Sequence, residues 1–299
     1  MKKHLLFLLF IIFSECTESN LAFHPGTNTS DGILKLVKNF GGSKNDVAKS
    51  VVSTLDGGFA VLGYTQSIDG DVTDKATEDY DFWMLKFDSE AQLEWNKTYG
   101  GSGDDRGSSL IETSDGGYAL LGYSDSSDGD VSSNSGNRDF WLVKINASGV
   151  LSWQKSFGYE GVDEGVSIIE TSDNHLMLSG VLDVTASGGE GNQGRFSTKH
   201  AGGDYWSIKI TPTGDIVWSR FYGGSFTDSP TGISETLIGG FISVGGSDSN
   251  DVDISNNKGS YDFWVVKSDR NGDIVWEKSF GGSEIDEARD VISDGTGNH

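Results

Sequence analysis

The sequence predicts an all-β fold, a β-propeller of four-stranded antiparallel blades. Three observations predict it. All eight tryptophans fall into one repeated pattern, Gly is abundant at 42 residues while Pro is scarce at 3, and no helical period of apolar residues appears after residue 16. Trp83, Trp141, Trp206 and Trp264 each follow an aromatic in "DFW" or "DYW". Trp95, Trp153, Trp218 and Trp276 each come twelve residues later, and both sets are spaced by 58, 65 and 58 residues. A fixed period of this size marks a repeated structural unit.

The second copy shows the elements in order. "WNKTY" (95–99) alternates as a short strand, and "GGSGDD" is a loop. "SSLIET" (108–113) is a second strand, and the Asp-Gly of "SDGG" suits a tight turn. "YALLGYS" (118–124) is a third strand. A long polar loop leads to "DFWLVKI" (139–145), a fourth strand, and "NASG" turns out of it. Four strands in one period make a blade, and propellers hold roughly 4 to 8 of them. The copies run 33–94, 95–152, 153–217 and 218–275, with a partial copy at 276–299. The expectation is four full repeats plus a half, in a ring that is closed by the remnant or is open or truncated.

The paired tryptophans then sit on adjacent strands, where large flat side chains fill the wedge between blades. Asp46, Asp105, Asp163, Asp228 and Asp286 recur just after the first strand of each copy. A carboxylate there accepts backbone N–H bonds and fixes the loop. One such Asp per repeat argues for a structural role.

Residues 1–16, "MKKHLLFLLFIIFSEC", form a secretory signal: two Lys, a nine-residue apolar run too short to span a bilayer, then Cys16. The Cys directly after the apolar run resembles the bacterial lipoprotein signal, in which that Cys is acylated. Glu15 departs from the small residue usual there, and a plain signal peptide is the alternative. Residues 17–32 read as a flexible tether. The expected location is the outer membrane or cell surface through a lipid anchor, or the extracellular medium. The single Cys excludes an internal disulfide. The net charge of −23 argues against nucleic acid and against adsorption to an anionic membrane.

Residues 211–224 ("TPTGDIVWSRFYGG") and 269–282 ("DRNGDIVWEKSFGG") resemble the Trp-docking repeat of quinoprotein-like propellers. The whole unit, with "GGSxxD", "TSDGGY", "LGYSxSxDGDV" and "DFWLVK", is similar to the secreted β-propeller repeats of Bacteroidetes-type bacteria. That resemblance covers residues 33–299 and implies architecture. No cofactor-site constellation accompanies it, so no quinone is carried over.

Alternating strands place "GGSGDD" and the long polar loops on one face, where binding is expected. Two features stand out there. Asp69 and Asp71, Asp128 and Asp130, and Asp251 and Asp253 are alternate carboxylates in Gly/Ser/Asn loops, which suits calcium or ordinary Asp-Gly turns. The third copy's loop, 183–204, carries seven extra residues and gathers Arg195, Phe196, Lys199 and His200 on an acidic chain. Such a cluster suits a sugar acid or a protein carboxylate, or is a tolerated insertion. No Gly-x-Ser-x-Gly, HExxH or phosphate loop is present. The function expected is therefore a binding or scaffolding module for a protein or glycan. A propeller-fold hydrolase acting on glycans is the alternative, with no catalytic residue singled out.

Overall fold

The computed structural model describes residues 37–192, 199–294, 296 and 299. The expected signal peptide with Cys16, and the tether, lie outside the described residues. The chain divides into residues 1–39 and 40–299, and every strand lies in the second unit.

The described residues form strands and no helix. The first sheet comprises β1 (Asp46–Ser53), β2 (Phe59–Thr65), β3 (Asp81–Phe87) and β4 (Leu93–Tyr99). The second comprises β5 (Asp105–Glu112), β6 (Tyr118–Ser124), β7 (Asp139–Ile145) and β8 (Leu151–Phe157). The third comprises β9 (Glu164–Glu170), β10 (Leu176–Asp183), β11 (Gly203–Ile210) and β12 (Ile216–Tyr222). The fourth comprises β13 (Asp228–Glu235), β14 (Phe241–Ser247), β15 (Asp262–Ser268) and β16 (Ile274–Phe280). Each sheet is antiparallel in simple chain order, and no sheet closes on itself. These are propeller blades, with β1, β5, β9 and β13 as the inner strands that neighbour one another.

The blades are cut one strand later than the repeat boundaries at 95, 153 and 218. The "WxK" strand closes a sheet rather than opening one: Trp95 pairs with Lys86, Trp153 with Lys144 and Trp276 with Lys267. The reason is local. The turn before that strand is tight, with Asp88 N donating to Gln92 O and Asn146 N to Val150 O, and so short a turn joins neighbours within one sheet. A period has no origin, so spacing alone cannot say where a blade begins. Accordingly residues 274–280 complete the fourth sheet, and residues 281–294 contain no strand. They still follow the inner-strand path: Asp286 N donates to Tyr261 O at 2.7 Å, as Asp105 N does to Tyr80 O and Asp163 N to Arg138 O.

The two tryptophans of a pair do different work. The "DFW" and "DYW" tryptophans are buried and satisfied: Trp141 Nε1 donates to Gln154, Trp206 Nε1 to Ser219 and Trp264 Nε1 to Glu277. Each meets, edge to face, the aromatic before the Trp of the preceding blade. Phe82–Trp141, Phe140–Trp206 and Tyr205–Trp264 have centroids 4.7, 4.9 and 4.8 Å apart. The second tryptophans of the pairs lie near the outer edge. Gly149, Gly214 and Gly272, each at positive φ in the next blade's outer turn, sit against Trp95, Trp153 and Trp218.

A carboxylate seam runs along the blade interfaces. Asp46, Asp105, Asp163, Asp228 and Asp286 each accept the backbone N–H four residues earlier through Oδ2, at 2.7–2.8 Å. Opposite stands the Asp that opens the third strand of the preceding blade: Asp81, Asp139, Asp204 or Asp262. Its Oδ1 has no conventional hydrogen bond among the described residues. A glycine lies between the two carboxylates at Gly100, Gly223 and Gly281, with an Hα directed at the first, a weak C–H···O contact in place of an N–H.

Burying these groups sets a pH dependence. Burial, opposed by hydrogen bonds, pushes Asp163 up to about 7 and Asp228 to about 6, and raises Asp105 and Asp139 as well. Unfolded Asp titrates near about 3.9. Between about pH 4 and 7 the folded chain therefore holds protons that the unfolded chain releases, so stability falls as pH rises through that window. The expected result is a Tm several degrees higher at pH 5 than at pH 8, in about 0.5 M salt to screen the net charge. A Tm that climbs steadily from pH 5 to pH 8 would show these carboxylates to be ionised in the native state.

Candidate functional site

The "GGS" connections and the long second-to-third-strand loops share one face and hold each other. Asp69 Oδ1 accepts from Ser43 N, Asp128 Oδ1 from Ser102 N and Asp251 Oδ1 from Ser225 N. Asp71, Asp130 and Asp253 accept from Gly41 N, Gly100 N and Gly223 N. One oxygen of each of these six carboxylates thus fastens a neighbouring loop. Among the described residues no group of three or more His, Cys, Asp or Glu side chains is placed to hold a metal ion.

Each long loop also returns to the Asp that opens the next strand, through a backbone N–H in the second and fourth blades and a side chain in the first and third. Lys75 Nζ reaches Asp81 Oδ2 at 2.8 Å, Ser135 N reaches Asp139 at 2.7 Å, and Lys258 N reaches Asp262 at 2.8 Å. In the third blade the donor is His200, whose Nδ1 lies 2.6 Å from Asp204 Oδ2.

That substitution builds the site. Of the four loop residues singled out, Arg195 and Phe196 lie outside the described residues. Lys199 is exposed. His200 turns inward rather than toward solvent: its side chain is 5% exposed and it meets Phe221 edge to face. It is on the wall of a cavity of about 210 Å³, shared with Asn192, Arg220, Tyr222, Val252, Asp253 and Ile274. His200 Nε2 lies 3.8 Å from Asp253 Oδ2, beyond hydrogen-bond reach. Burial opposes charge on His200, but the Asp204 bond and the nearby carboxylates of Asp253 and Asp228 outweigh it and raise the imidazole above its ordinary value. With Nδ1 committed to Asp204, Nε2 is the ring nitrogen left facing the cavity. Asn192 Oδ1 is buried with no hydrogen-bond partner among the described residues.

Arg220, Tyr222 and Asn192 were not singled out from sequence. A signal for Arg220 is present: it stands where the other copies carry Lys97, Lys155 and Lys278. A guanidinium offers a planar fork of donors that an ammonium lacks. The site combines an imidazole, a guanidinium, a carboxamide and one carboxylate over an apolar wall of Phe221, Val252 and Ile274. At about 30 Å³ per water-sized group, the cavity admits one small ring or one acidic side chain.

No family model matches the chain, and no curated protein matches it. Among solved structures, the chain is similar to a crystal structure of a protein of unknown function from Bacteroides caccae. The two share 11% sequence identity, with a TM-score of 0.36 over 78% of this chain and 81% of the other.

Proposed function

We propose that the protein is an exported, lipid-anchored β-propeller that acts at a bacterial cell surface as a binding module, taking a carboxylate-bearing ligand, a sugar acid or a protein carboxylate, into the third-blade cavity. The observation that carries this reading is the inward His200. A merely tolerated insertion would leave its polar groups in solvent. Here the loop spends an imidazole on a buried carboxylate and directs the other ring nitrogen into a cavity beside Arg220. Charge-assisted bonds from imidazolium and guanidinium are the strong kind for a carboxylate.

The test is calorimetric titration with galacturonate and glucuronate, and with glucose as the neutral control. The acids are expected to bind and glucose to bind more weakly. His200→Ala should weaken the acids by about tenfold, the loss of one charge-assisted bond. Equal affinity for glucose and its acid, or no effect of His200→Ala, would remove the carboxylate from the proposal.

A further inference from the structure

We propose a second binding site, separate from the His200 cavity: a saccharide platform built from Tyr64, Tyr80, Arg106, Tyr123 and Arg138 at the long-loop end of the first three inner strands. The groups form one continuous stack across two blade interfaces. Tyr64 and Tyr80 meet edge to face at 5.6 Å. The Arg106 guanidinium lies 4.1 Å from the Tyr80 centroid and 5.1 Å from that of Tyr64. Arg138 lies 4.4 Å from the Tyr123 ring. Asp104 joins the halves, bonded through both oxygens to Arg106 at 2.7 and 2.9 Å and 3.6 Å from Arg138. Arg138 Nη1 donates to Glu164, and Asn45 Nδ2 donates to Tyr80 Oη.

The stack is not a requirement of the fold. Strand pairing puts Tyr64 opposite Val47, Tyr123 opposite Arg106, Val181 opposite Glu164 and Gly246 opposite Ser229. The third interface therefore carries Val181, Gly203 and Ser229 where the first two carry tyrosine and arginine. The blades pack there as elsewhere without any ring or guanidinium.

The chemistry selects the ligand class. Two arginines, with Lys49 5.9 Å over the Tyr64 ring, face Asp104 and Glu164, so the platform lacks the acidic excess of a chain that carries −23. That disfavours a strongly charged ligand. The polar groups are planar and held in place: the guanidiniums are stacked on rings and tied to Asp104 and Glu164. Arg106 Nη1 makes no hydrogen bond among the described residues, and the Arg106 and Arg138 side chains are 31% and 34% exposed. Half-buried tyrosines beside fixed planar donors and acceptors match a pyranose, which offers an apolar C–H face to a ring and hydroxyls to forked groups.

The test titrates the full chain with neutral hexaoses of β-1,4-linked glucose, xylose and mannose, and with an acidic hexagalacturonide, by calorimetry. At least one neutral hexaose is expected to bind. Tyr80→Ala and Tyr123→Ala should each lower its affinity by about tenfold, while His200→Ala leaves it unchanged. Tyr80→Phe keeps the ring and should stay within about twofold. Arg106→Lys removes the planar edge and should weaken binding even if Tyr80→Ala does not fold. No binding by any neutral hexaose overturns the proposal. So does binding that survives the tyrosine variants, or binding of the hexagalacturonide alone with loss on His200→Ala, which would assign the ligand to the cavity.

Discussion

Gly223→Ala is expected to prevent the chain from reaching its native state, at a cost above about 4 kcal/mol. A Cβ on Gly223 would lie 2.4 Å from Asp204 Cγ, 2.5 Å from Asp204 Oδ1 and 2.6 Å from Asp228 Oδ2. Neither carboxylate can retreat. Both residues are fully buried. Asp204 is tied to His200, and Asp228 accepts from Gly224 N and Ser249 Oγ. Moving either one breaks its bonds and opens the interface between the third and fourth blades. Backbone strain is not the cause, since Gly223 is not at positive φ. Gly116→Ala makes the opposite control: φ is +80° and nothing lies within 4 Å of the added methyl. That variant should lose only the left-handed backbone penalty, about 1–2 kcal/mol. Urea unfolding of the two variants checks the contrast. A Gly223→Ala midpoint equal to or above that of Gly116→Ala would mean that the seam is loose enough to admit a methyl group, and that the buried carboxylate pair is not close-packed.

The seam also shows how much of the molecule was legible in sequence. The period and the Asp that follows each strand-ending aromatic announce four equivalent sheets with a carboxylate fixing each loop, because a repeated residue in a repeated place reports a repeated contact. The phase of the blades was not legible, since it depends on which of two connections is a tight hairpin. In the sequence Phe82, Phe140 and Tyr205 are no more than companions of a Trp. Each in fact meets the Trp of the next blade, roughly one repeat away in sequence, a contact that no local pattern encodes. His200 was legible as an oddity but not as a buried one, because its partner Asp204 looked like any other member of the "DFW" set. The Tyr64–Arg106–Arg138 stack was hidden for a related reason. Its members come from five segments, and each is unremarkable until the strand register brings them to one corner.

Trp141→Ala and Trp276→Ala change the same letter in matching repeats, yet their effects are expected to differ severalfold. Trp141 is fully buried, donates to Gln154, and packs with Leu120 and Val143 against the edge of Phe82. Truncation leaves a cavity walled by rigid strands of two blades, so the loss should be about 3–5 kcal/mol. Trp276 is 38% exposed, and among the described residues no glycine turn sits on it as Gly272 does on Trp218. Its ring is bounded by its own strand and Lys278, so truncation should cost less than about 1 kcal/mol. Trp218→Ala is the deciding third variant. It holds the same repeat position as Trp276 but is 7% exposed, and its Nε1 donates to Arg270 O in the next blade. If its loss resembles that of Trp141, the energetic weight of a repeat tryptophan lies in the neighbouring blade that covers it. If Trp218→Ala and Trp276→Ala cost the same, the weight lies within the strand pair, and the turn seated on Trp218 contributes nothing.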